Sequence, residues 1–168
     1  MATITRTRDL GAAGAAAKAV SALLATDRDY GALAARVALG LVILPHGLQK
    51  TVGWFGGFGL EGTLGFFTQQ LHIPALLALL AIAAESLGAL ALIAGLGGRV
   101  AALGIGVTMA TAALMLHLPN GFFMNWFGAQ KGEGVEYFIL AIGLALAVVI
   151  RGSGAWSLDR AIVRRIAE

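Results

Sequence analysis

The chain has 168 residues, of which 58% are hydrophobic and 12% charged, with a mean hydropathy of +0.83 and a formal net charge of +3. Soluble domains carry about 25% charged residues, so this composition excludes an ordinary water-soluble domain and indicates an integral membrane protein. The absence of cysteine excludes disulfide relays, thiolate metal sites, iron–sulfur clusters and covalent haem attachment within the chain, and basic residues tied to the flanks of apolar runs argue against nucleic acid as a partner.

Residues 1–29 are polar or Ala/Gly-rich. Gly11 to Ala25 is apolar enough to resemble the core of a signal peptide, but Lys18 interrupts it. Asp27-Arg28-Asp29 then follows where small residues should mark a cleavage site. The segment reads as a retained cytoplasmic tail with a short interfacial helix. Residues 30–168 form the membrane domain.

Four apolar runs follow, each near the roughly 20 residues that a bilayer core demands. They are Tyr30 to Lys50, Pro74 to Gly95, Arg99 to Leu118, and Val135 to Arg151. The predicted fold is all-α: an integral membrane bundle of four transmembrane helices. Threading the chain four times puts Arg6, Arg8, Lys18, Arg28, Arg99, Arg151, Arg160, Arg164 and Arg165 on one side, and only Lys50 and Lys131 on the other. The positive-inside rule makes the basic side cytoplasmic, with both termini on that side.

The outer connections are TVGWFGGFGLEGTLGFFTQQLHI and PNGFFMNWFGAQKGEG. Their Trp54, Phe55, Phe58, Phe66, Phe67, Phe122, Phe123, Trp126 and Phe127 form either an interfacial aromatic belt or a lid over a pocket, with glycines supplying the bends. The prolines gather on this side. Pro74 starts the second span, where a missing N–H does no harm, and Pro119 ends the third. Pro45 sits inside the first span, removes the hydrogen bond to the Leu41 carbonyl, and kinks the helix just before His46. That kink serves either shape alone or a ligand or water at the freed carbonyl.

Ionisable groups inside these runs are costly, by roughly 2.5–3.5 kcal/mol at a helix centre, so each needs a partner or a task. Arg36, Ile43, His46 and Lys50 share one side of the first span. Glu85 lies halfway along the second, with Arg36 and His46 as reachable partners. It either fixes helix register or accepts protons beneath a site. His117 closes the third span, where it is either a surface residue or part of a site shared with His46 and Glu136. Glu133 and Glu136 are placed in the first turn of the fourth span, where the helix dipole favours carboxylates, and Tyr137 offers a hydroxyl at the same level. The assembled expectation is a polar site in the outer half of the bundle. His46, Glu85, His117 and Glu136 are its candidate catalytic groups, and Lys50, Trp54, Asn120 and Tyr137 its candidate cofactor-binding groups. No strong metal signature is present, so no metal is assigned.

The phrases ARVALGLVILPHGLQK, WFGGFGLEGTLGFF, AESLGALALIAGLGGRVAALGI, HLPNGFF, EGVEYFILAIGLALAV and WSLDRAI resemble the DoxX family of small bacterial membrane proteins, over about residues 30–163. The resemblance implies a four-helix membrane fold and a partner role in membrane redox complexes. The family takes its name from a membrane subunit of a quinol oxidase associated with thiosulfate oxidation, and relatives are linked to oxidative stress. Arg36, His46, Lys50, Glu85, His117, Asn120, Glu136 and Tyr137 fall on the family pattern. Three functions follow as alternatives. The first is a quinone-linked redox subunit with quinone as its cofactor. The second is a non-enzymatic assembly subunit or small-molecule carrier, in which small-residue stripes such as Ala84-xxx-Gly88 and Gly106-xxx-Ala110 serve contacts within the bundle or between copies. The third is an electron-transfer protein with haem between His46 and His117. The expected partners are the lipid bilayer and other membrane or redox-complex subunits.

Overall fold

The computed structural model describes residues 14, 15 and 18–167. Most of the expected tail before residue 18 therefore lies outside the described residues; residues 18–24 are helical. Among the described residues every regular element is helical.

Helix α1 spans Tyr30–Thr51. Asp29 starts it, its carboxylate accepting from the backbone N–H groups of Gly31 (2.8 Å) and Ala32 (3.0 Å), two of the donors every helix start leaves free. Helix α2 (Gly59–Gly65) and a π-helical turn at Phe66–Gln70 follow. Helix α3 spans Ala75–Ala94 and begins after Pro74, as expected; helix α4 spans Gly98–Asn120. Between them Gly95 and Gly97 adopt left-handed backbone, which closes a three-residue turn. Helix α5 covers Glu136–Arg151 and α6 covers Leu158–Ala167.

Three helices, α1, α3 and α4, are long and apolar enough to cross a membrane. The four expected runs all appear as helices within two residues of their predicted ends. The fourth is shorter than a full span: α5 has 16 residues, about 24 Å at 1.5 Å per residue, against a hydrocarbon core of about 30 Å.

One apolar core joins all four. Leu39 and Ile43 of α1, Ala89 and Leu92 of α3, Ala102, Ile105 and Met109 of α4, and Phe138, Ala141, Ala145 and Val148 of α5 pack together with almost no exposure. Lipid is as apolar as these side chains, so close packing and polar contacts must hold the helices together. Gly40 and Gly47, two turns apart on α1, allow the closest approach. A Cβ at Gly40 would lie 2.9 Å from the Ala89 carbonyl oxygen, and one at Gly47 would overlap the Glu85 carbonyl.

The basic end is tied by charged groups set on helix ends. Arg36, 1% exposed, does not pair with Glu85, the partner the sequence suggested. It donates instead to the carbonyls of Leu92 (2.7 Å) and Ile93 (2.6 Å) in the last turn of α3, and to Ser153 (2.7 Å), Ala155 (3.3 Å) and Trp156 (2.9 Å) before α6. Asp159 does the converse at the start of α4, accepting from Gly97 N (2.6 Å), Gly98 N (3.0 Å) and Ser153 Oγ (2.5 Å). A cation at a helix C-terminus and an anion at an N-terminus both suit the helix dipole. Arg99 likewise donates to the Val149 and Ile150 carbonyls at the end of α5. Asp29 pairs with Arg151 at 2.7 Å. The Ala32 N–H, with help from Arg151, holds the Asp29 carboxyl below its ordinary value.

Candidate functional site

The backbone marks the site before the side chains do. Each of the three long helices has its regular ladder broken beside one candidate residue. In α1 the break is Pro45, immediately before His46. In α3 it is a π-helical turn at Ala84–Gly88, which contains Glu85. In α4 it is a π-helical turn at Ala113–His117, followed by a 3₁₀ turn at Leu118–Asn120. A π turn inserts a residue, rotates the side chains around it and loosens the hydrogen-bond ladder; such turns occur frequently at functional sites.

Glu85 is 4% exposed at the middle of α3 and faces α1, where Gly47 admits its backbone. Its carboxylate forms an ion pair with Lys50, whose side chain is 23% exposed. Lys50 therefore reaches back from the last turn of α1 to a group about one turn deeper. His46 lies one turn before Lys50 on α1, on the same stripe of the helix. The His46 ring is exposed and lies 6.1 Å from the Tyr137 ring. The Tyr137 hydroxyl is buried without a hydrogen-bond partner among the described residues. Lys50, Glu85, His46 and Tyr137 thus form one cluster, with an exposed imidazole at its rim and a charged pair beneath.

His117 joins the cluster through aromatic contact. Tyr137 packs edge-on against Phe138 at 5.3 Å, and Phe138 lies 4.3 Å from the His117 ring. His117 also has a second task. Its Nδ1 lies 2.9 Å from the Glu133 carbonyl oxygen, and Asn120 Nδ2 donates to the same oxygen at 3.1 Å. A carbonyl only accepts, so Nδ1 is the donor and Nε2 is the nitrogen left for other contacts. Glu133 in turn accepts from Asn125 N at 2.6 Å, and Asn125 exchanges hydrogen bonds with Gln130. His117 and Asn120 therefore clamp the loop that follows α4 onto its end.

Two candidates stand apart from this network. Glu136 begins α5, its backbone N–H donating to Phe122 O at 2.9 Å, and its side chain makes no ion pair or hydrogen bond among the described residues. Trp54 is 61% exposed and packs on Phe55. Glu133 does not sit in the first turn of a helix: α5 starts at Glu136, and Glu133 lies in the loop between Gly132 and Gly134. Those flanking glycines were the available signal. The aromatics of the two loops, Phe67 excepted, are exposed. Phe138 as the link between His117 and Tyr137 carried no signal in the sequence beyond its place after EY.

Among the described residues no three His, Asp or Glu side chains converge as ligands of a metal ion would. The arrangement does suit an apolar molecule with a polar head: His46 offers a hydrogen bond at the rim, the Tyr137 hydroxyl an unused one in the interior, and the Lys50–Glu85 pair a proton donor and acceptor nearby.

Comparison with known proteins agrees with this architecture. The family model described as DoxX matches residues 31–118, which take in all of α3, all but the first residue of α1 and all but the last two of α4, and hence His46, Lys50, Glu85 and His117. The chain is 28% identical over 131 residues, covering 78% of its own length and 86% of the relative's, to the Bacillus subtilis (strain 168) protein named "Putative oxidoreductase CatD". No solved structure matches it. With three helices able to cross a bilayer and a family match over more than half its length, this chain is a membrane protein that belongs to the DoxX family.

Proposed function

We propose that this protein is a quinone-linked redox subunit of the bacterial inner membrane. In this reading α5 is the fourth span, both termini are cytoplasmic, and the polar cluster lies in the outer half of a four-helix bundle. The observation that carries the reading is the buried Glu85, set on a π-helical turn and paired with Lys50, which lies one turn along α1 from His46, whose ring is 6.1 Å from that of Tyr137. The relative's name as an oxidoreductase supports it.

A quinone supplies two-electron, two-proton chemistry when bound. His46 and Tyr137 are the groups suited to hold its oxygens, because one is exposed and the other has an unsatisfied hydroxyl. Lys50 and Glu85 would take up or release the accompanying protons, since a proton can pass from the ammonium to the carboxylate and the partly exposed ammonium head can exchange it with the surroundings. The electrons go to or come from a redox centre in a partner subunit. His117 and Asn120 position the loop at the rim of the site.

The main alternative is a non-catalytic assembly subunit or small-molecule carrier in which the Lys50–Glu85 pair only locks the crossing of α1 on α3. The close approach at Gly47 favours it. A haem between His46 and His117 is disfavoured by the Tyr137 and Phe138 rings that connect the two imidazoles.

The test is purification in mild detergent, mass spectrometry of extracted lipids, and an ultraviolet difference spectrum before and after borohydride. Quinone should accompany the wild-type protein and be lost from His46→Ala and Glu85→Gln. Wild-type protein that neither carries quinone nor binds an added short-chain ubiquinone or menaquinone overturns the proposal. Equal retention by folded Glu85→Gln removes the Lys50–Glu85 pair from quinone binding and leaves it the role of locking the crossing of α1 on α3.

A further inference from the structure

The opposite end of the molecule carries a surface that the redox reading leaves unused. At 100° per residue, Arg160, Arg164 and Arg165 of α6 fall within one arc of about 140°, while Leu158, Ile162, Val163 and Ile166 occupy the other side. Leu158 and Ile166 are each about half exposed, and Trp156, just before the helix, is 77% exposed. The only acid of α6, Asp159, is turned inward onto the start of α4.

This segment is fixed in place. The carbonyls of Ala155 and Trp156 accept from Arg36, and Asp159 holds Gly97 and Gly98. Trp156 adopts left-handed backbone (φ 49°), a conformation a bulky residue holds only where its surroundings impose it. Its ring meets Tyr30 edge-on at 5.8 Å, and the Arg28 guanidinium lies 5.6 Å from the Tyr30 ring centre. Apolar and basic side chains are thus displayed together, on a rigid mount, at the level where α1 begins.

We propose that α6 and Trp156 lie flat in the membrane interface, and that Arg160, Arg164 and Arg165, with Arg28, bind the headgroups of anionic phospholipids. Charge complementarity selects this occupant. Arginine forks match phosphate geometry, basic amphipathic helices settle at the boundary between headgroups and acyl chains, and tryptophan anchors at that depth. A polybasic segment beside a membrane helix gains from anionic lipid with each added arginine.

Trp156 becomes the sole reporter in a Trp54→Phe, Trp126→Phe variant, because the chain has three tryptophans. This protein is reconstituted in equimolar phosphatidylglycerol and phosphatidylcholine vesicles, with brominated chains on one lipid or the other. Brominated phosphatidylglycerol should quench Trp156 roughly twofold more than brominated phosphatidylcholine. The preference should vanish on adding Arg160→Gln, Arg164→Gln and Arg165→Gln. Should that variant fail to fold, the same loss is read from the intact arginines at about 1 M salt, where the Debye length is about 3 Å. Equal quenching by both lipids at low salt overturns the lipid selectivity, and quenching by neither places Trp156 off the membrane and overturns the proposal entirely.

Discussion

Removing one member of the Lys50–Glu85 pair should cost far more than removing both. Lys50→Met keeps the stem and deletes the ammonium, leaving Glu85, 5% exposed as a side chain, without its cation. Breaking a buried pair this way costs about 3–5 kcal/mol. Lys50 is 23% exposed, so water weakens the pair and the lower end applies, about 3 kcal/mol. For a protein of this size that lowers the thermal midpoint by about 6–12 °C. Glu85→Met should cost less, about 1–2 kcal/mol, because the stranded lysine can swing its head to the membrane surface. The double variant has no orphaned charge and should fall within about 1 kcal/mol of wild type. The expected coupling is therefore about 3–5 kcal/mol. Thermal unfolding in detergent, followed by loss of the monodisperse peak, measures all four proteins. Single effects that add within about 0.5 kcal/mol would falsify the pairing and, with it, the claim that α1 and α3 meet through a charged contact. A double variant that regains stability but not quinone separates the pair's chemistry from its structural part.

Three further outcomes follow from the same geometry. Arg36→Met should destabilise by about 3–5 kcal/mol, and Arg36→Lys should recover little, because an ammonium cannot reach carbonyls on two helix ends as the guanidinium fork does; both are read as thermal midpoints. The Asp29 carboxyl is held below its ordinary value of 3.8 by the Ala32 N–H and Arg151, so its contribution is complete above that value and is lost as pH falls through the lower folded-state value. The wild-type midpoint should therefore drop on acidification below 3.8, and Asp29→Asn should flatten that drop. Gly47→Ala places a methyl against the Glu85 carbonyl and should cost about 1–3 kcal/mol by forcing α1 off α3; quinone retention measured alongside should fall too.

The helices were legible because their signals are physical and local. Apolar runs of span length, Pro74 before α3 and the Gly95-Leu96-Gly97 turn define ends that the structure keeps within two residues. The candidate site was only partly legible. Helix periodicity put His46 and Lys50 on one stripe and Glu85 at mid-helix, but the partners it offered Glu85 were Arg36 and His46, whereas the cation found there is Lys50. Arg36 and Lys50 both lie on α1, and the choice depended on how α3 slides along it. Gly47 sets that register by admitting the Glu85 backbone, which brings Lys50 to the carboxylate and leaves Arg36 at the far end of α3. The Arg36 network was not legible at all, because its acceptors are backbone carbonyls separated by 56 to 120 residues in sequence. The roles of His117 and Asn120 in holding the loop were hidden for the same reason: their shared acceptor is the main chain of Glu133.

Hydrogen-bond completeness separates scaffold from site among the polar groups of this chain. At the basic end Arg36 has five carbonyl acceptors and Asp159 three donors. Groups satisfied to that degree have little left to offer a ligand, and taking a bond from them would leave a helix end bare. The other end is arranged differently. Glu85 relies on a single cation, the Tyr137 hydroxyl is buried without a partner, and His46 presents its ring to the surroundings. Unsatisfied polar groups are costly in a low-dielectric interior. At the basic end Arg99 Nε is buried without a partner, but the rest of its guanidinium bonds the carbonyls of Val149 and Ile150; the Tyr137 hydroxyl has no bond at all. Near the Glu85 cluster Pro45 and the π turn at Ala84–Gly88 also loosen the helix ladders. Residual bonding capacity and a relaxed backbone at the same place are what a binding site requires, and this is the reason to look for the missing partner at His46, Tyr137 and Glu85.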